Sequence, residues 1–328
     1  MSEVRIILKE DIIEKPLVCV IVLNYNGRDH LGYCLPSLTA TDYPNYQIIV
    51  IDNASSDSSA DMVPILCPGA KLIKSPTNLG WSRGNNLGIK AALEMGAEYV
   101  VLANNDIQVD PHWLGAAVDI SESDPRIGVV GFQILEPGPG SPDRDDCFEY
   151  AKATWDRLKL SYPKYVGGMA MFVRAELFER IGLIDEGFFA YGEENDFQIR
   201  ARKADYQIVA TNVPLWHFGQ GAFRKIPRRA AILQTRNNIR LLIKHGSLID
   251  LFLSGIKHIR KRILAPKTDQ SLSVVEQRLR PFNTIDNIVI LIRGLIWNLW
   301  MLPATLHRRR ADNRRAMIAR HTRVVSRI

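Results

Sequence analysis

The chain has 328 residues, 46% apolar and 23% charged, the proportions of an ordinary globular protein with room for one large or two modest domains. Its formal charge of +7 is unevenly placed: from Lys244 onward there are 17 Lys/Arg against 5 Asp/Glu, whereas the preceding body is mildly acidic. That asymmetry assigns any contact with an anionic surface to the C-terminal part. The four cysteines lack the paired spacing of zinc sites and suit a reduced, cytosolic chain, and Met1 to Lys15 carries charges throughout, with no signal-peptide core.

Leu17 to Asn24 is an apolar run of the kind a strand buried on both faces requires, and it ends in the polar break Asn24-Tyr25-Asn26-Gly27. A short helix over 31–38 leads to a second strand over 46–51, which ends in Asp52-Asn53-Ala54-Ser55. Two strands that stop at polar clusters with a helix between them make a βαβ unit and imply a parallel sheet. Tyr25, Asp52 and Asp106 are then expected along one sheet edge, where ligands of open α/β sheets bind. At that edge Asp52 can accept from a base imide or a ribose hydroxyl. Asp57 is expected to be no more than a helix N-cap.

A short strand over 71–74 precedes Asn78-Leu79-Gly80-Trp81-Ser82-Arg83-Gly84-Asn85-Asn86, whose glycine spacing fits neither a dinucleotide fingerprint nor a P-loop. Glycines in a first helical turn weaken it, so their presence beside Arg83 points to close backbone approach and an anion site. The run Val100 to Ala103 then delivers Asn104-Asn105-Asp106 to the same edge. A carboxylate there suits a hard divalent cation holding phosphate oxygens, although the same three residues also end a strand as a plain turn.

A helix is expected from Pro111, a strand over 127–135, a Pro/Gly/Asp-rich loop over 136–146, and a strand over 166–173 with Gly167-Gly168 at its start. After a short helix over 175–181, Tyr191-Gly192-Glu193-Glu194-Asn195-Asp196 opens another helix. The helix dipole explains one or two of these acidic residues, but not the aromatic residues and Gly-Glu-Glu just ahead of it. A last short strand over 207–210 is followed by His217, which by itself is more often structural than a ligand.

Taken in order, these segments resemble the inverting family 2 glycosyltransferases, and within them the rhamnosyltransferase-like subgroup. The likeness runs from about Leu17 to about Asn238 and rests on Val20–Asn26, Val50–Ser55, Asn78–Trp81 with Asn85-Asn86, Leu102–Asp106, Gly167-Gly168, Tyr191–Asp196, Trp216-His217 and Arg236-Asn237. It implies an α/β GT-A fold, Rossmann-like, with a mostly parallel central sheet flanked by helices, a nucleotide-sugar donor (dTDP- or UDP-linked) and a divalent cation, Mg²⁺ or Mn²⁺. By the resemblance, Asn24, Tyr25, Asn26, Asp52, Asn53, Asn78, Gly80, Arg83, Asn86, Asn104 and Asn105 bind the donor, and Asp106 and His217 hold the metal. Glu194 stands at the general base, with Gly167, Gly168 and Glu193 near the acceptor. Two departures are visible: the base pair is Glu-Glu where the family commonly has Glu-Asp, leaving the two roles open to exchange, and the metal motif keeps one carboxylate.

Residues 1–245 are thus expected to form the catalytic domain and 246–328 a basic amphipathic helical tail. Within the tail, 247–264 mixes apolar and basic residues at helical spacing, and 285–302 is more apolar but is interrupted by Asp286 and Arg293. With a central Arg it is a poor membrane span and is expected in the interface, Trp297 and Trp300 at headgroup depth and Arg308-Arg309-Arg310 against anionic lipid. The competing expectation is a soluble helical pair packed on the catalytic domain. The whole describes an enzyme on the cytoplasmic face of the cell membrane that transfers a sugar to a lipid-linked or glycan acceptor for cell-surface polysaccharide, without a nucleic-acid partner. A sugar nucleotidyltransferase and a non-catalytic nucleotide-sugar binder are the alternatives.

Overall fold

The computed structural model describes residues 15–136, 158–219, 226–247, 249–250, 253 and 282–325. Residues 137–146 of the expected loop over 136–146 and nearly all of the amphipathic pattern over 247–264 lie outside the described residues.

Four strands, β1 (Val18–Asn24), β2 (Tyr46–Asp52), β3 (Lys71–Lys74) and β4 (Tyr99–Asn104), form a parallel half-sheet in the order β3-β2-β1-β4. Helices α1 (Arg28–Thr39), α2 (Ser59–Leu66) and α3 (Gly80–Glu94) connect them, as the apolar runs and polar breaks require. The other half is mixed and contains β5 (Ile107–Val109), β6 (Ile127–Leu135), β7 (Leu160–Ser161), β8 (Ala170–Arg174) and β9 (Gln207–His217). Its order is β4-β8-β6-β9-β5, with β7 paired to β9; β6 and β9 run parallel and the remaining pairs antiparallel.

The sheet buries both faces, which is why its strands carry continuous apolar runs. Val18, Val20 and Val22 of β1 join one core with Leu31 and Leu35 of α1 and Trp113 of α4 (Trp113–Ser123). Cys19 and Ile21 join the opposite core with Ile89 of α3, Leu177 of α5 (Glu176–Ile181) and Phe197 of α6 (Glu193–Lys203).

Three boundaries differ from the sequence expectation. The helix expected from Pro111 begins at Trp113, and β5 intervenes because the chain turns at Asn105-Asp106 and crosses to the far edge of the sheet, where Ile107 pairs with His217. Gly167 and Gly168 precede β8 and do not lie within a strand. The strand expected to end at Ala210 continues to His217 through Pro214, which sits after a register shift between β6 and β9.

Beyond β9 come α7 (Pro227–His245), α8 (Thr284–Trp300) and α9 (Leu302–Val325). Helix α8 lies against α7 and α9 against α5, α6 and α7. Ala316 and Ala319 of α9 enter the core that contains Phe197. Arg309 donates to the Ile243 and Gly246 carbonyls at 2.7 and 3.1 Å, and Arg323 to the Pro125 carbonyl at 2.5 Å. Part of the basic charge after residue 246 is therefore spent on the protein itself. One face of α8 remains outside this packing: Ile285, Ile292, Ile296, Leu299 and Trp300 are exposed. Among the described residues no single helix is long and apolar enough to cross a membrane.

Candidate active site

The C-terminal ends of β1, β2 and β4 meet at one edge because Asn24 pairs in register with Asp52, and Leu23 with Asn104. Asn24 is fully buried and joins all three. Its Nδ2 faces Ser59 Oγ at 2.8 Å and Asp52 Oδ1 and Ser55 Oγ at 3.2 Å, while its Oδ1 accepts from Asn105 Nδ2 at 2.8 Å. Both ends of the amide are engaged with protein, so Asn24 sets the position of Asp52 and Asn105. Gly27 is needed beside it, since a Cβ there would lie 1.9 Å from Asn105 Nδ2. Asn26 ties the first loop to the second by accepting from the Ser56 amide at 2.7 Å, and the half-buried Tyr25 lies between Asn24 and Asn26.

Asn53 performs the same service for the third loop. Its Oδ1 accepts from the Leu79 amide at 2.8 Å, and its Nδ2 donates to Asn78 Oδ1 and to the Gly80 carbonyl at 3.2 Å. Gly80 has φ +74°, and a Cβ there would meet the Phe189 carbonyl oxygen at 2.5 Å, so only glycine starts α3 against the 185–192 loop. Trp81 closes the ring by donating its Nε1–H to Asn104 Oδ1 at 3.2 Å. The structure therefore brings Asn24, Asn26, Asp52, Asn53, Asn78, Gly80, Asn104 and Asn105 into one hydrogen-bonded rim. Asn86 and Arg83 face elsewhere. Asn86 is buried and pins Ile184 through both ends of its amide, and Arg83 pairs with Glu186 at 3.0 Å.

Asp106 and His217 meet across the β5–β9 pair, His217 Nε2 lying 3.4 Å from Asp106 Oδ1. Glu136, which nothing in the sequence singles out, accepts from His217 Nδ1–H at 2.8 Å, in the tautomer that leaves Nε2 toward Asp106 or in the imidazolium. Burial would raise the Asp106 carboxyl, but hydrogen bonding and charge from His217 outweigh it and hold the group low. Burial likewise opposes the imidazolium of His217, and Asp106 and Glu136 more than restore it. The carboxylate suits Mg²⁺ or Mn²⁺ and the imidazole favours the softer Mn²⁺, with Glu136 orienting the ring from its far side. Asp185, Asp196 and Asp312 also cluster, but Lys244 Nζ lies 2.7, 2.6 and 2.8 Å from them, so an ammonium already fills the place of a cation.

Glu193 and Glu194 open α6, behind Tyr191 and Gly192 in left-handed backbone. Asn237 holds that turn by donating to the Ala190 and Tyr191 carbonyls at 2.7 and 2.8 Å; the sequence marked the Arg236-Asn237 pair without giving it a role. Glu194 accepts from the Gly192 amide at 2.9 Å, is only half-buried, and faces Gly168, where an added Cβ would lie 3.3 Å from its Cγ. Glu193 is buried, and its Oε2 has no hydrogen-bond partner. Burial raises both carboxyls; in Glu193 the charge of Glu194 adds to it and pushes the group well above the usual range, whereas backbone N–H groups pull Glu194 partly back. Asp196 is not hydrogen-bonded to this pair, although its charge adds to the rise of Glu193; it binds Lys244, Arg200 and His245 at 2.6–2.9 Å.

Comparison with known proteins fits this geometry. Residues 19–182 match the family model of glycosyl transferase family 2. The chain is 26% identical over 224 residues to an N-acetylglucosaminyl-diphospho-decaprenol L-rhamnosyltransferase of Mycobacterium tuberculosis, covering 58% of this chain and 72% of the relative. It is 25% identical over 201 residues to the low-salt glycan biosynthesis hexosyltransferase Agl10 of Haloferax volcanii, covering 58% and 62%. Among solved structures, S. aureus TarS 1-349 in complex with UDP superposes with a TM-score of 0.52 at 15% identity, over 94% of this chain and 91% of that one. The mannosyltransferase PcManGT of Pyrobaculum calidifontis, in complex with GDP-Man and Mn²⁺, gives 0.57 at 17%, over 94% and 88%. The fold is GT-A, and the chain is an enzyme that belongs to glycosyl transferase family 2.

Proposed function

We propose that the chain transfers a hexose, rhamnose being the first candidate, from a dTDP- or UDP-linked donor to a lipid-linked or glycan acceptor, with inversion and with a divalent cation. The observation that carries this reading is the division of the acidic groups. Asp52 is bonded to Asn24 at the strand-end rim, Asp106 pairs with an imidazole, and Glu194 opens a different element, α6, with its side chain against Gly168. In this reading Asp52 accepts from the base or ribose, Asn53 and Asn78 shape the pocket, and Asp106 with His217 holds Mg²⁺ or Mn²⁺. The chemistry such a cation supplies is neutralisation of charge on the departing diphosphate.

The acceptor hydroxyl oxygen bonds to the anomeric carbon as its proton passes to Glu194. The bond from that carbon to the diphosphate oxygen breaks, its electron pair leaving with the nucleoside diphosphate. Glu194 is favoured over Glu193 because it is the less deeply buried of the two and is held by backbone N–H groups, which favour its ionised form. The deeper Glu193, pushed higher, takes up the pair's shared proton first. Gly168 lets the Glu194 side chain pack against the backbone ahead of β8, on the acceptor side in this reading.

The activity of the Mycobacterium relative, an N-acetylglucosaminyl-diphospho-decaprenol L-rhamnosyltransferase, supports a lipid-linked acceptor and rhamnose. The exposed apolar face of α8, flanked by the exposed Arg293 and Arg310, supports a peripheral seat on the inner face of the membrane. The reading is tested with Glu194→Gln, which is expected to keep nucleotide binding in the presence of Mn²⁺ and to lose roughly 10²–10⁴-fold in transfer. Unchanged transfer would remove Glu194 as the base.

A further inference from the structure

Helices α3, α7, α8 and α9 and the 185–189 loop enclose a cleft of about 470 Å³ on whose wall four arginines, Arg83, Arg236, Arg240 and Arg308, meet Trp297 and Trp300. Two carboxylates share that wall and both are engaged: Asp185 with Arg240 at 3.1 Å and Lys244 at 2.7 Å, and Glu186 with Arg83 at 3.0 Å. Arg236 has no acidic partner among the described residues. Its Nε donates to the neutral Asn237 Oδ1 at 2.8 Å, and its guanidinium carbon lies 4.2 Å from the centre of the Trp297 ring. Arg236 Nη2, Arg240 Nε and Arg308 Nε are all buried without a hydrogen-bond partner. Such donors are costly, and the side chains that carry them line the cleft; Arg308 Nε lies 3.6 Å from Asp312 Oδ1, so among the described residues Arg236 is the lining arginine without a carboxylate beside it. Burial and the charge of Arg240 lower Arg236 to about 10, the behaviour of a cation still short of an anion.

The cleft has an apolar exit. Trp300 lines it and is 76% exposed, and Leu299, Ile296 and Ile292 continue outward on α8 at 69%, 61% and 48% exposure. It also has a direct link to the reaction centre. Phe189 on its wall belongs to the loop that receives the Trp81 amide at 2.7 Å and runs into Glu193-Glu194, and Asn237, next to Arg236, fixes that loop.

We propose that this cleft binds the phosphate or diphosphate of a lipid-linked acceptor, held by the guanidinium of Arg236, which lacks a carboxylate among the described residues, and by that of the partly exposed Arg308, with the hydrocarbon chain leaving past Trp300 along the exposed face of α8. The guanidinium fork matches phosphate oxygens bidentately, and the indole rings hold it flat. A soluble anion would not need the apolar exit, and a plain hydrocarbon would not need four arginines. The proposal rests on the reading that the acceptor is lipid-linked and names the groups that would recognise it.

The test is an intrinsic-fluorescence titration of the full chain, in EDTA to suppress metal-dependent binding at the donor pocket, with farnesyl diphosphate, farnesol and inorganic pyrophosphate. Farnesyl diphosphate is expected to bind at least roughly tenfold more tightly than either fragment. Arg236→Gln with Arg308→Gln is expected to raise its Kd by about tenfold or more and to leave the farnesol titration unchanged, while Trp300→Ser weakens both. Equal binding of farnesol and farnesyl diphosphate, or of pyrophosphate as an adventitious ion only, overturns the proposal, and the comparison needs no variant to fold. Transfer is read separately. A chain that separates the three probes but glycosylates no acceptor loses the proposed function and keeps the cleft; one that glycosylates but does not separate them loses the cleft alone.

Discussion

His217 Nε2 lies 3.4 Å from Asp106 Oδ1 because the chain leaves β4 at Asn104, turns, and pairs β5 with the end of β9. A strand-end carboxylate and an imidazole far away in sequence thus share one proton or one cation. Asp106→Ala is expected to abolish the dependence of nucleotide binding on Mn²⁺, measured by calorimetry with and without the metal. Glu136→Gln, which acts only on the far ring nitrogen, is expected to weaken metal affinity by roughly 10–100-fold. Metal dependence that survives Asp106→Ala would detach the cation from this pair.

The pH dependence follows from the position of Glu194. A general base works ionised, and burial places this carboxyl above the ordinary range. As pH falls, Glu194 protonates earlier than an exposed glutamate would, so the acid limb of kcat/KM is expected above the usual carboxylate range. The limb belongs to the Glu193–Glu194 pair as a unit. A profile flat down to the ordinary carboxylate range would argue against a buried base.

Lys244 joins Asp185 and Asp196 of the body to Asp312 of α9, at 2.6–2.8 Å, and is fully buried. Lys244→Met leaves three carboxylates short of a partner and is expected to cost on the order of 3–5 kcal/mol in urea unfolding. Burial alone would raise Asp185, but Lys244 and Arg240 outweigh it and the repulsion of Asp196, and hold it at about 2. Its folded value lies below its unfolded one. The associated stability, on the order of 2 kcal/mol, is therefore present above the ordinary Asp value and is lost as pH falls through about 2. Truncation before α8 would strip this cluster of Asp312 and uncover α7, so it is a poor test of membrane attachment.

Point changes on α8 serve better. Ile296 and Leu299 are 61% and 69% exposed, so Ile296→Glu with Leu299→Glu is expected to leave the Tm unchanged. The same pair is expected to lower binding to phosphatidylglycerol vesicles by roughly tenfold in co-sedimentation. Undiminished sedimentation would remove this face as the membrane contact.

Asn24, Asp52 and Asn104 were legible in the sequence because each ends its own apolar run, and parallel strands deliver such ends to one edge. Gly84 and Gly88 were legible as sites of close approach, though not the Leu23 and Ile21 side chains of β1 that approach them, nor the Phe189 carbonyl against Gly80. These are local signals: the period of a strand and the chemistry of a break lie within ten residues of one another. The pairing of Asp106 with His217, the seat of Glu136, and the choice between Glu193 and Glu194 depended on strand order and on depth of burial. So did the fate of the basic C-terminal part. Composition marked it as cationic, but whether an arginine meets lipid or a backbone carbonyl is fixed by which surface its helix buries. Arg309 and Arg323 are spent on carbonyls of the body, while Arg236 and Arg308 line a cleft that only the packed helices create.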